Sequence, residues 1–117
     1  MTRPDASIFT LVAGTTSPER AAVVREHCCE GSHVELRREV QTESGPPRIE
    51  VWLPCKALLG LVTTWRQIGH VPPETAAALL SLARQDSTVV GLGTVRTVYA
   101  PLDRDESVVT VEIRPVS

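Results

Sequence analysis

Most of this chain alternates between apolar and polar side chains with the two-residue period of a half-buried β-strand. The clearest example is residues 33–40, in which Val34, Leu36 and the stem of Arg38 share one side. The other side holds His33, Glu35, Arg37 and Glu39. Residues 48–53 repeat the pattern, so the two segments predict a hairpin whose loop spans residues 41–47 (QTESGPP). Further strands are predicted at residues 7–13, 67–71, 87–99 and 107–113.

Two segments carry the signals of helices. In the first, Ser17 is the N-cap and Pro18 takes the first helical position, and the helix runs to about Cys29. The second begins at Pro73 and runs to about Gln85. Helical spacing predicts one buried face in each, formed by Ala21, Val24 and Cys28 in the first and by Ala76, Leu79, Leu80 and Ala83 in the second.

Residues 54–65 (PCKALLGLVTTW) fit neither period. The run is apolar and contains Gly60, and we expect either a short helical turn or a buried connection. A small barrel needs side chains to fill its interior. We therefore expect residues 57–65 to belong to the core rather than to form an exposed contact patch.

The predicted order of elements is β-α-β-β-β-α-β-β. Short turns join most consecutive strands, which indicates a mainly antiparallel sheet. Gly91 and Gly93 interrupt the strand at residues 87–99 and indicate a bulge or a bend, as at a barrel corner. We predict an α+β, mainly β fold: a small, partly open antiparallel barrel of OB-like or SH3-like kind with two helices. An open α+β sandwich is the alternative.

Length and composition favour one intracellular domain. The 117 residues fit a single domain over residues 7–117, preceded by a polar, disordered N-terminus at residues 1–6. Cys28, Cys29 and Cys55 give an odd count with one adjacent pair, which is not a disulfide framework. No signal peptide and no long apolar run is found, so we expect a cytoplasmic protein with no membrane partner.

The charge balance excludes a protein that coats nucleic acid by bulk charge. The formal net charge is -2, although a local basic face remains compatible with it. The basic residues are eleven Arg and a single Lys, Lys56. Aromatic residues are scarce, so an extended stacking platform for a single strand is not expected.

No motif for catalysis or for a metal is found. The nearest candidates are the ligand types His27, Cys28, Cys29 and His33, the thiol and imidazole Cys55 and His70, and the carboxylates Asp103 and Asp105. Adjacent cysteines on a helix point about 100° apart, which is awkward for one zinc ion. The thiol lacks the surroundings of a nucleophile, and the carboxylates lie in a polar turn. We therefore expect no enzymatic activity and no cofactor.

His70 lies where a predicted strand turns into the second helix. It follows Gly69 and precedes Pro72 and Pro73, beside a helix N-terminus whose backbone N–H groups favour anions such as phosphate. A purely structural role, in which the ring hydrogen-bonds the corner together, fits the pattern equally well.

This corner is part of residues 66–79 (RQIGHVPPETAAAL), which resemble the HIRAN domain. That family carries a Gly-His/Tyr-Leu-Pro step leading into a helix rich in Ala and Leu. Residues 34–39 (VELRRE) are similar to the Val-x-Leu-x-Arg-Glu strand of that family. In this chain and in the family, separated Gly, Arg and Gly positions precede the strand. The remaining similar positions are Gly14, Glu19, Arg20, Gly31, residues 49–51 and residues 89–98.

The resemblance implies an OB-like barrel that binds DNA in repair or processing, in the best-studied branch the 3′ end of a single strand. The matching positions are Arg37 and Arg38 on the second strand and His70 at the corner, with Arg20 matching more loosely. These four side chains are expected to cluster on one face, where they would hold the terminal nucleotide and adjacent phosphates.

The family also implies partners. Its domains often accompany helicase-like ATPases, so such an ATPase or a nuclease is an expected partner, and free-standing bacterial versions exist. An Asn-Pro-(Tyr/His)-Asp element of the family is replaced here by residues 41–47. The alternative is therefore a protein-interaction module of the same fold that has lost DNA-end binding and associates with a partner or with itself as a homodimer, through residues 57–65.

Overall fold

The computed structural model describes residues 7–39, 48–82, 88–103 and 106–115, without the side chain of Ala57. Its eight elements follow the predicted order, and the mainly β class is confirmed. They are β1 (Ile8–Leu11), α1 (Pro18–His27), β2 (His33–Arg38), β3 (Ile49–Ala57), β4 (Val62–His70), α2 (Pro73–Leu82), β5 (Val89–Tyr99) and β6 (Val108–Pro115). The predictions made for residues 1–6, 40–47, 83–87 and Asp105 fall outside the described residues.

All six strands form one antiparallel sheet in the order β1-β6-β5-β2-β3-β4. One isolated bridge joins its two edges. The Ala13 amide donates to the His70 carbonyl at 2.8 Å, and the His70 amide donates to the Ala13 carbonyl at 2.9 Å. We call this bridge the seam. The sheet is otherwise open, and it curls until its two edges meet at this one point. This is the predicted partly open barrel.

The inward face of the sheet holds the core. The predicted inward set Ile49, Val51 and Leu53 is fully buried, as the two-residue period requires. α1 packs on β4 with Ala21 and Val24 buried, and α2 packs on β5. The other core side chains include Val34, Leu36, Ile68, Ala76, Leu79, Val90, Val95, Val109, Val111 and Ile113.

Gly91 and Gly93 allow β5 to approach its neighbours closely at the inward face. A Cβ at Gly93 would lie 2.8 Å from Cγ2 of Val34 and 3.3 Å from Cδ2 of Leu36. A Cβ at Gly91 would lie 3.7 Å from Cβ of Leu36, so the Leu36 side chain occupies the space that the two glycines leave. The register between β2 and β5 shifts beside Gly91, which is the predicted irregularity in this strand.

Residues 54–65 form neither a helical turn nor a buried connection, so that prediction is wrong. β3 and β4 pair along this segment as far as Ala57 and Val62 and leave residues 58–61 as the tip of a hairpin. The β-branched and aromatic residues at 62–65 favour a strand, and the tight turn before them returns the chain onto β3. The expected core filling is also wrong, because Leu58, Leu59 and Leu61 are 70%, 103% and 85% exposed.

The hairpin tip holds leucines in a backbone conformation that suits other residues. The Leu61 amide donates to the Leu58 carbonyl at 3.1 Å, and the two central residues, Leu59 and Gly60, have φ of 57° and 86°. Such a turn favours Asn-Gly, and the left-handed region costs an ordinary residue roughly 1–2 kcal/mol. We therefore expect Leu59→Asn to raise the free energy of unfolding by about 1 kcal/mol in urea denaturation.

Leu61→Asn is the matched control for this prediction. It removes an exposed leucine from the same turn at a residue outside the positive-φ set. An equal gain in Leu61→Asn would show that the stabilisation comes from removing exposed apolar surface and not from relieving the backbone.

Candidate nucleic-acid interface

Three flat side chains meet on the outward face of β2, β3 and β4. The guanidinium carbon of Arg37 lies 4.8 Å from the ring centroid of Trp52 and 4.9 Å from that of Trp65. Both distances lie within the range of a cation–π contact. Arg37 Nε also donates to Glu35 Oε1 at 2.9 Å, which fixes the guanidinium. We call Arg37, Trp52 and Trp65 the Arg–Trp cluster.

Strand register produces the Arg–Trp cluster. Glu35 pairs with Trp52, and Arg37 lies two residues further along β2 on the same side of the sheet. Trp65 pairs with Pro54, two residues from Trp52, so the two indoles are diagonal neighbours across β3 and β4. The cluster therefore depends on the long β3–β4 hairpin.

A hollow of about 300 Å³ lies beside His70 and is lined by Arg20, Glu39, Arg48, Glu50, Gln67 and His70. Arg20 is held there because its Nη1 donates to the Gly14 carbonyl at 3.0 Å. Gly14 has a φ of 79°, and a Cβ on it would lie 2.9 Å from His70 Cε1 and 3.0 Å from Arg20 Nη1. The absence of a side chain at Gly14 thus allows Arg20 and His70 to meet.

A second hollow, of about 430 Å³, lies between α1 and the β3–β4 hairpin. Arg20 and Gln67 line both hollows, so the two adjoin each other, and we call them together the α1 groove. The other residues of the second hollow are Glu19, Val23, Trp52, Trp65 and Arg66.

The α1 groove has a mixed polar lining. Its basic side chains are Arg20, Arg48, Arg66 and His70, and its acidic side chains are Glu19, Glu39 and Glu50. Glu50 Oε1 accepts a hydrogen bond from Trp52 Nε1 at 2.9 Å, so one of the hydrogen bonds that this carboxylate can accept is already made within the site. Guanidinium groups suit phosphate oxygens, whereas carboxylates accept from hydroxyl and amino groups. This lining therefore suits a ligand that carries phosphate oxygens, hydroxyl groups and amino groups.

The structure separates the four residues predicted from the sequence. Arg20 and His70 meet in the α1 groove, and Arg37 borders it through the two indoles. Arg38 pairs with the core residue Ile49 and lies on the inward side of β2. Successive residues of a strand point to opposite faces, so Arg37 and Arg38 do not share one. The four residues were expected to cluster on one face. The structure brings Arg20, His70 and Arg37 to that face and leaves Arg38 on the other.

Comparisons of the chain with protein-family models, with curated proteins and with solved structures find no match. Within the ranges that the structure describes, no helix is both long enough and apolar enough to cross a bilayer.

Several residues of the site were not predicted from the sequence. These are Trp52, Trp65, Arg48, Arg66 and Gln67. Trp65, Arg66 and Gln67 lie on the strand whose pairing was missed, so their positions opposite β3 could not be derived. The two-residue period of β3 does place Trp52 opposite the inward Val51 and Leu53, and this was the one available signal.

The cysteines lie outside the α1 groove. Burial, with smaller contributions from the other two thiols, raises the pKa of Cys28 to about 12. Burial is also the largest cause that raises the pKa of Cys55. Both buried thiols are therefore protonated at neutral pH and are poor nucleophiles. Among the described residues, no three His, Cys, Asp or Glu side chains come together as a metal site.

Proposed function

We propose that this chain is a DNA-binding module of HIRAN type that holds single-stranded DNA, or its 3′ end, in the α1 groove. The observation that carries the proposal is the meeting of Arg20 and His70 at Gly14. The family resemblance implies both residues as DNA ligands, and they come from distant parts of the sequence. They converge in a groove that also contains two indole rings and two further arginines.

The end of the groove at His70 suits a nucleotide terminus. Arg20 and Arg48 offer guanidinium donors to the oxygens of a phosphodiester. Glu39 and Glu50 accept hydrogen bonds from a terminal hydroxyl group and repel a terminal phosphate, which carries more than one negative charge at neutral pH. This end of the groove therefore favours a 3′-hydroxyl over a 3′-phosphate.

The other end of the groove suits nucleobases. The indoles of Trp52 and Trp65 line it, and Arg37 holds both rings in place. Stacking of a base on an aromatic ring contributes about 1–3 kcal/mol and tolerates any sequence. Two rings make a short platform for one or two bases, which is consistent with the low aromatic content of the chain.

Fluorescence polarisation with a labelled hexathymidylate tests this proposal. At low salt we expect binding, tighter for a 3′-hydroxyl than for a 3′-phosphate. His70→Ala and Arg20→Gln each remove a charge-assisted or polar contact and should weaken binding about tenfold. Arg20→Gln should also reduce the slope of log affinity against log salt by about 0.7, the value for one phosphate contact on a single strand.

Matched controls come from the same chain. His27 is exposed on the last turn of α1, and Arg38 lies on the inward side of β2; neither lines the α1 groove. His27→Ala and Arg38→Gln should retain wild-type affinity. Folded protein that binds no oligonucleotide at low salt, or losses as large in the controls as in the test variants, would refute the proposal. Equal affinity for both 3′ ends would refute end recognition.

A further inference from the structure

A third hollow lies on the outward face of β2, β5 and β6, beyond the α1 groove. Its volume is about 530 Å³, within the usual range for ligand sites. The register of the three strands places its lining residues side by side. Leu92 pairs with Glu35 of β2 and with Arg114 of β6. Thr94 pairs in the same way with His33 and Glu112. Trp65 borders this hollow from the side of the β3–β4 hairpin. We call it the β5 hollow.

The two walls of the β5 hollow differ in chemistry. Trp65 and Leu92 form an apolar wall, and they are 36% and 53% exposed. Arg96, Glu112 and Arg114 form a charged wall. An apolar wall that faces charged groups suits a flat ring that carries an anionic group, because each part of such a ligand meets a matching surface.

The charges of the hollow leave one cation for a ligand. Arg96 Nε donates to Glu112 Oε1 at 2.8 Å, so these two groups neutralise each other. Glu35, also at the hollow, is paired with Arg37. Arg114 has no ion pair among the residues that the structure describes, although it lies near enough to Glu112 to lower the pKa of that carboxyl, after Ser7 and Arg96. One surplus guanidinium matches the single charge of a phosphodiester.

We propose that the β5 hollow binds a second nucleotide unit, with the base against Trp65 and Leu92 and the phosphate at Arg114. The inference rests on the proposed function and extends its site. Trp65 lines both the α1 groove and the β5 hollow, so one strand can pass from one to the other over the same indole. The shared chemistry is a heterocyclic base with a phosphate, which either the bound strand or a free mononucleotide supplies.

The dimensions of the sheet give the length of strand involved. The two sites together cross the five strands β4, β3, β2, β5 and β6. At about 4.8 Å between neighbouring strands this is roughly 19 Å. Barrels of the OB kind bind about 4 nucleotides or more, which agrees with that distance.

Oligothymidylates of two to six nucleotides, together with thymidine monophosphate, test this inference by fluorescence titration. Wild-type affinity should rise with length and reach a plateau at about four nucleotides. Arg114→Gln and Leu92→Asp should each weaken binding of the tetramer about five- to tenfold and leave the dimer unchanged. Lys56→Gln is the control, because Lys56 is an exposed cation of the same hairpin that lines none of the three hollows.

The outcomes separate this inference from the proposed function. A dimer that binds as tightly as a hexamer, or variants that leave the tetramer unaffected, would overturn the β5 hollow while the α1 groove stands. Saturable binding of thymidine monophosphate that Arg114→Gln abolishes, without any change in oligonucleotide affinity, would assign the hollow to a free mononucleotide. No binding of any oligonucleotide or of the monophosphate would remove both sites.

Discussion

Gly69→Ala is expected to lower the free energy of unfolding by about 3 kcal/mol. A Cβ on Gly69 would lie 2.3 Å from the carbonyl oxygen of Ala13 and 2.7 Å from Cγ1 of Val12. The nearer atom belongs to the backbone of the segment that forms the seam, so no side-chain rotation relieves the contact. The new methyl group therefore pushes Ala13 away from His70 and breaks the two hydrogen bonds of the seam.

Urea denaturation of the wild type and of two glycine variants measures this effect. Gly31→Ala is the control, because a Cβ there meets nothing within 4 Å while its φ of 91° strains any other residue. Gly31→Ala therefore reports backbone strain alone, about 1 kcal/mol. Gly69 does not have a positive φ, so its substitution reports the steric contact alone. A smaller loss in Gly69→Ala than in Gly31→Ala would contradict this account of the seam.

Leu36→Ala is expected to lower the free energy of unfolding by about 4 kcal/mol, near the upper end of the range for buried leucines. Leu36 is fully buried and packs over Gly91 and Gly93. The cost of such a substitution depends on how far the neighbours relax into the cavity. The two glycines have no side chains that could move into the space, so most of the cavity remains.

Denaturation of Leu36→Ala beside Leu11→Ala tests this expectation. Leu11 also lies in a strand but is 53% exposed, so its truncation should change the stability by less than about 0.5 kcal/mol. A loss below about 2 kcal/mol in Leu36→Ala would mean that β5 does shift to fill the cavity, and would contradict the rigid packing at the two glycines.

The fold was predictable where local signals and burial agree. Ser17 and Pro18 start α1 as expected, and the Ser17 hydroxyl accepts from the Arg20 amide at 3.3 Å. The alternation at β2 and β3 places the correct residues in the core because one face of each strand is buried. The β3–β4 hairpin was missed for the opposite reason. Its leucine tip is exposed, so the apolar character of residues 58–61 does not report burial.

The candidate site was predictable only in part. His70 was predictable because a local strand-to-helix motif places it at a corner of the chain, whereas Arg20, in the first turn of α1, follows only from the loose match to the HIRAN pattern. The resemblance places Arg37 and Arg38 together at the DNA, whereas the alternation that predicts β2 puts them on opposite faces, as the structure does. The indoles were missed because their proximity comes from register across β3 and β4, which no local pattern contains. Long-range pairing therefore determines most of the site.

The two edges of the sheet can separate at the seam without unfolding of the whole domain. Within the described part of the chain, two hydrogen bonds join the edges of the sheet there. One partner in both is His70, whose side chain lines the α1 groove. On the proposed function, an oligonucleotide that contacts the imidazole would favour the closed edge, and the closed edge would hold the imidazole in place for it. Binding and closure of the edge would then be thermodynamically linked. If the α1 groove holds a strand as proposed, conditions that open this edge without unfolding the core should release it, and the residence time of the strand should follow the rate at which the edge opens.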